Sequence, residues 1–116
     1  MILQTARRFR LAGTYDRDSL GILRPIAEHQ DVSEMLQARY IDPVFQASTM
    51  GDEILTTVEA YLDRHSIPLT AARLSIHVNT ARYRLEKFTE LTGCKLESAK
   101  ESTEVWWALQ ARRLNR

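Results

Sequence analysis

Apolar residues recur along the chain at intervals of three and four positions, and no stretch alternates apolar and polar residues over the length of a strand. The spacing is clearest over residues 53–64, where one face of a helix carries Ile54, Leu55, Val58, Tyr61 and Leu62. Only four Gly and three Pro interrupt the 116 residues. The pattern therefore predicts an all-α fold, a bundle of several helices.

Start and stop signals divide this pattern into segments. The predicted helices cover residues 2–11, 20–28, 31–40, a short segment from Asp42, 53–64, 68–75, 79–93 and 98–114, and Tyr15–Ser19 is predicted as a loop or the end of a strand. The predicted N-caps are Asp31 (with Glu34), Asp42 (before Pro43), Asp52 and Ser98 (with Glu101). Gly93 is expected to end its helix in the left-handed conformation.

The two short helices around residues 69–74 and 79–92 are separated by a few residues, which is typical of a helix-turn-helix. Ala71 and Ala72 are small enough to let the second helix approach closely. Ile76 would fill the core from the turn, and either His77 or Asn79 can cap the second helix. We therefore place a helix-turn-helix in the C-terminal half of the bundle.

A rotation of roughly 100° per residue puts Leu85 and Phe88 within about 40° of Ala81, and these three form the predicted buried stripe. Arg82 and Arg84 fall on the two flanks. Such a helix fits a DNA major groove, with short polar groups at its tip and cationic groups toward both phosphate walls. The candidate DNA-binding residues are His77, Val78, Asn79, Thr80, Arg82, Tyr83, Arg84 and Lys87. Glu86 and Glu90 are expected to lie where the helix leaves the groove, since they would repel phosphate.

Within this set we expect a division of roles. Asn79, Thr80 and Tyr83 would read bases, while Arg82, Arg84 and Lys87 would hold phosphate. Other interpretations stay open, because the arginines could form a solvated face and Tyr83 could pack on a neighbouring surface.

The stretch TAARLSIHVNTARYRLEKFTELTG (Thr70–Gly93) resembles the C-terminal helix-turn-helix of PucR/CdaR-type bacterial transcriptional regulators. The matching residues are Ala71, Leu74, Ile76, His77, Asn79, Thr80, Tyr83, Arg84, Leu85 and Glu90-Leu91-Thr92-Gly93. The chain departs from that pattern at Val78 and Glu86, where the family usually carries Arg or Pro, and Arg or Lys.

The resemblance implies a division of the chain. Residues 1–50 would be the end of an upstream cyclase-like domain and a connector, and residues 51–116 a DNA-binding domain. It also implies that the chain is the C-terminal part of a regulator whose inducer binds a domain absent here. The full-length protein would be a homodimer on double-stranded DNA, and apolar residues around Leu20–Ile26 would be open to pack on the missing domain.

The net charge of +1 hides a strong asymmetry. Residues 1–13 carry three Arg and no acid, residues 14–63 carry three Arg against ten Asp and Glu, and residues 64–116 carry ten Lys and Arg against five Glu. A basic working end attached to an acidic body is expected, with the acidic segment away from DNA.

Other classes of protein find little support in the sequence. A single Cys and three scattered His give no basis for a disulfide or a metal site, so no metal or other cofactor is expected. The sequence shows no signal peptide and no apolar run of membrane-spanning length, so we expect a cytoplasmic protein without a membrane partner. No phosphate-binding Gly loop or nucleophile–base spacing indicates an enzyme, and no catalytic residue is predicted. The alternative function is a helical protein-interaction or dimerisation module with weak or no DNA binding.

Overall fold

The structure, a computed structural model, describes residues 17–115, with side chains from Leu23 onward. This part of the chain holds seven helices and no strand, which confirms the all-α prediction. The helices are α1 (Arg17–Glu28), α2 (Gln30–Tyr40), α3 (Asp42–Ala47), α4 (Gly51–Arg64), α5 (Ile67–Leu74), α6 (Val78–Thr92) and α7 (Ala99–Leu114).

The N-terminal predictions meet the structure only in part. The helix predicted at residues 2–11 lies outside the described residues. The loop or strand end predicted at Tyr15–Ser19 was wrong for its last three residues, because α1 already begins at Arg17. Once a helix is nucleated, each further residue adds a hydrogen bond at little cost, so α1 extends beyond the apolar segment that anchors it.

Three of the predicted caps were also wrong. Asp31, Asp42 and Asp52 lie inside the first turns of α2, α3 and α4, and the preceding cap residues make no side-chain cap bond. A capping Asp needs an extended backbone, but α2 runs almost directly into α3 through a residue in the right-handed helical region. The three carboxylates still stabilise their helices, because they lie near the positive N-terminal ends of the helix dipoles.

Two serines do cap helices. The Ser98 hydroxyl accepts a hydrogen bond from the backbone N–H of Glu101, as predicted, and starts α7. The Ser66 hydroxyl accepts one from the N–H of Leu69 and starts α5, a cap that the sequence pattern did not reveal.

One apolar core joins the helices on both sides of residue 50. Its buried members are Leu36, Tyr40, Ile41, Val44, Ile54, Leu55, Val58, Leu85, Phe88, Cys94, Leu96, Val105, Ala108 and Leu109. Helix α4 contributes Ile54, Leu55 and Val58 as its spacing predicted, with Tyr61 and Leu62 partly buried beside them. Helices α2 to α7 therefore form one packed unit that holds α6 in place.

A second, smaller cluster fastens α1 to α7. Leu23 and Ile26 are buried with Ala111, and the half-buried side chains of Trp106, Trp107 and Leu114 pack against them. The expectation that apolar residues around Leu20–Ile26 would be open to another domain was therefore wrong for Leu23 and Ile26. These two bury their surface against the last helix of the same chain, where it is removed from water.

A polar link reinforces that second cluster. The Trp107 Nε1–H donates to the hydroxyl of buried Ser33 over 3.0 Å, and this hydroxyl donates to the carbonyl of Ile26 over 3.2 Å. The link ties α7 to α2 and to α1.

Trp107→Phe is expected to lower the free energy of unfolding by about 1 kcal/mol more than Trp106→Phe. Both tryptophans are partly buried, but only the Trp107 variant removes a hydrogen bond to a buried hydroxyl. Chemical denaturation of the two variants measures the difference. If both variants lost the same free energy of unfolding, the hydrogen bond from Trp107 to Ser33 would not stabilise the chain.

The turn between α5 and α6 contains a residue in an unfavourable backbone conformation. Ser75 has φ 56° and ψ 45°, in the left-handed region that favours glycine. Its N–H donates to the carbonyl of Ala72 and the N–H of Ile76 donates to that of Ala71, so the turn closes the end of α5.

Ser75→Gly is expected to stabilise the chain by up to about 1 kcal/mol, since relief of the left-handed strain exceeds the added chain entropy. Gly93→Ala is the matched opposite. Gly93 has φ 72° with open space around the missing methyl group, so alanine there adds backbone strain alone, about 1 kcal/mol. The Tm should rise for Ser75→Gly and fall for Gly93→Ala. A lower Tm for Ser75→Gly would show that the backbone of Ser75 is not strained.

Candidate nucleic-acid interface

Helices α5 and α6 pack against each other, and each buries a small residue. Ala71 is 2% exposed and Ala81 is fully buried. The prediction that Ala72 also lies at this contact was wrong, because Ala72 is exposed. Consecutive helical residues point about 100° apart, so only one of the two alanines can face α6.

His77 starts α6. Its backbone is extended and its Nδ1 accepts a hydrogen bond from the N–H of Asn79 over 2.9 Å. Of the two cap candidates, the structure selects His77, and Asn79 lies in the first turn. The Asn79 side-chain oxygen instead accepts a hydrogen bond from Arg82 Nη1 over 3.0 Å.

The buried stripe of α6 is confirmed. Ala81 and Phe88 are fully buried and Leu85 is 7% exposed. The opposite face carries the exposed side chains of Asn79, Arg82, Tyr83 and Glu86, while Val78, Thr80, Arg84 and Lys87 are half-buried at its borders. The eight candidate residues, together with Glu86, thus occupy the exposed face of α6, its borders and its N-terminal cap.

Arg84 differs from the other cations of this helix. Its Nη1 lies 3.4 Å from the hydroxyl of buried Thr57 on α4, and its Nε is buried without a hydrogen-bond partner. The Thr57 hydroxyl donates to the carbonyl of Glu53. Arg84 therefore extends along α4, whereas Arg82 extends into solvent.

Several basic side chains outside this face form ion pairs with acidic residues. Asp52, Glu59 and Asp63 on α4 pair with Arg112, Arg113 and Arg73 respectively. On α6 itself, Lys87 Nζ lies 3.7 Å from a carboxylate oxygen of Glu90. The acidic charge of α4 is thereby partly neutralised within the chain, by arginines that the charge count had assigned to the basic end.

The fold and this exposed face can be compared with known proteins. The family model of the PucR C-terminal helix-turn-helix domain matches residues 54–111, half of the chain. The chain belongs to this PucR family. The matched segment contains most of α4, all of α5 and α6, and most of α7, so it includes both the helix-turn-helix and the two helices that support it.

Relatives of the PucR-type chain include proteins of much greater length. It is 34% identical over 97 residues to the purine catabolism regulatory protein of Bacillus subtilis, an alignment that covers 73% of this chain and 18% of that protein. It is 37% identical over 57 residues to an uncharacterised protein of Mycobacterium tuberculosis, covering 48% of this chain and 14% of that protein. The chain thus spans less than a fifth of the length of either relative. No solved structure matches it.

Among the described residues, no helix is long and apolar enough to cross a bilayer. In the same part of the chain, no group of three or more His, Cys, Asp or Glu is placed to hold a metal ion.

His77→Ala is expected to destabilise the chain by about 0.5–2 kcal/mol, because it leaves the N–H of Asn79 without its cap. His77→Asn is the matched control, since an asparagine oxygen can accept the same bond. Chemical denaturation of both variants measures the cap. The role of His77 as a cap would be refuted if alanine and asparagine had the same effect.

Proposed function

We propose that this chain binds double-stranded DNA sequence-specifically, through the exposed face of α6, as the C-terminal part of a PucR-type transcriptional regulator. The observation that carries the proposal is the orientation of α6. Ala81, Leu85 and Phe88 are buried in the core, so Asn79 and Tyr83 project from the opposite side at the N-terminal half of the helix. Helix-turn-helix proteins present this part of their second helix to the major groove.

Asn79, Thr80 and Tyr83 are the proposed base readers, with His77 and Val78 beside them at the helix tip. Because the Asn79 oxygen accepts from Arg82, its NH₂ group is the part left to face a base. An NH₂ donor matches acceptors such as guanine O6 and N7 or thymine O4. Arg82 thus both orients Asn79 and carries the positive charge nearest to it.

Arg82, Lys87 and Arg84 are the proposed phosphate ligands. Lys87 is half-buried and its partner Glu90 is exposed, so phosphate can compete for its ammonium group. A guanidinium carries five N–H groups, and Arg84 directs only part of them toward Thr57. We expect Arg84 to contribute both to phosphate binding and to the angle between α6 and α4.

We further propose that the full-length regulator acts as a homodimer. A single recognition helix reads only a few base pairs, and paired helix-turn-helix domains bind half-sites about 34 Å apart, one turn of the duplex. The relatives are more than five times as long as the segment they share with this chain, which leaves room for an inducer-binding domain elsewhere.

Lys87→Ala is expected to weaken binding to all duplexes by a similar factor and to flatten the slope of log K against log salt concentration by about one unit. Asn79→Ala is expected to cost about 1–3 kcal/mol on the preferred site and little on other sequences. Fluorescence anisotropy with labelled duplexes over a salt series measures both effects.

Lys100→Ala is the matched control for charge, because Lys100 is an exposed lysine on α7 and belongs to neither helix of the helix-turn-helix. It should leave the slope nearly unchanged. Binding that does not depend on salt, or none at all, would contradict the proposed function and favour a protein-interaction module.

A further inference from the structure

Four exposed side chains form one row along α6. Asn79, Arg82, Tyr83 and Glu86 occupy positions i, i+3, i+4 and i+7, which lie on the same side of a helix, and each is exposed. Asn79 and Glu86 are separated by two turns and differ in direction by only about 20°. Glu86 therefore points to the same side as the residues proposed to read bases.

A homeodomain recognition helix contacts the major groove through residues at the same four positions, i, i+3, i+4 and i+7. Asn79 and Glu86 are two helical turns apart, about 10.5 Å along the axis. Glu90 lies one turn further, about 16.5 Å from Asn79, and is beyond the i+7 position that ends this spacing. We therefore treat Glu86 as part of the proposed contact, and keep the expectation that the helix leaves the groove for Glu90.

The two glutamates also differ in their partners. Glu90 pairs with Lys87 over 3.7 Å, whereas Glu86 forms no ion pair with any of the described residues. An ionised carboxylate only accepts hydrogen bonds. In the major groove, the available donors are the amino groups of cytosine N4 and adenine N6, and the adenine amino group lies beside the acceptor N7. A carboxylate that enters the groove consequently favours cytosine most.

We propose that Glu86 is a specificity-determining residue that accepts a hydrogen bond from the N4 amino group of a cytosine in the major groove. The inference rests on the proposed function, because it requires α6 to lie in the groove. Guanine and thymine present acceptors at the same place, so Glu86 disfavours them. A cation at this position would favour guanine or phosphate instead.

The experiment selects bound duplexes from a randomised DNA library with the 116-residue chain and with Glu86→Gln, Glu86→Ala and Glu90→Gln. The wild type is expected to prefer cytosine about 5- to 150-fold at one position. Glu86→Gln should move that preference to adenine, because a glutamine amide pairs with adenine N6 and N7. Glu86→Ala should abolish it at that position alone, and Glu90→Gln should leave it unchanged.

Two results would overturn the inference, and they are distinguishable. If the wild type selects a sequence and Glu86→Gln selects the same one while binding every duplex more tightly, Glu86 merely repels phosphate and the proposed function stands. If the wild type selects no sequence at all, the proposed function fails and the inference fails with it. Glu86 is exposed, so unchanged thermal unfolding of its variants should confirm that they fold.

Discussion

The burial of one narrow stripe of α6 is the constraint on which the rest of the molecule depends. Ala81 and Phe88 are fully removed from water, and Leu85 nearly so. A helix held by a single apolar stripe must present its opposite side to solvent, and that side carries the polar row that begins at Asn79.

The surrounding structure holds this stripe from several directions. Helix α4 packs against α6 in the core, and α7 contributes Val105 and Leu109 to the same core. The His77 cap and the turn at Ser75 determine where α6 begins. Under the proposed function, recognition depends on the direction in which a few side chains of α6 point, more than on a net charge of only +1. Three arginines are paired with acidic residues of α4, which leaves less basic charge for the proposed contact with DNA.

Local sequence patterns were sufficient for features that one helix decides alone. The stripe of α6, the end of that helix at Gly93 and the cap at Ser98 all follow from spacing and residue type. Features that depend on two distant segments could not be predicted in this way. The contact of Arg84 with Thr57 joins residues 27 positions apart, and the burial of Leu23 needs a helix almost 90 residues later. The missed caps have a related cause, because a cap depends on the backbone conformation between two helices as well as on the residue type.

Chemical-shift mapping of the isotopically labelled chain by NMR, with and without its selected duplex at low salt, reports which surface of the chain contacts DNA. If α6 is the DNA-binding helix, the largest changes will fall on its exposed face, at Asn79, Tyr83 and Glu86. Met35 on α2 and Phe45 on α3, which are exposed apolar residues outside α5 and α6, should keep their signals. Changes concentrated at Met35 and Phe45, with α6 unaffected, would contradict DNA binding through α6.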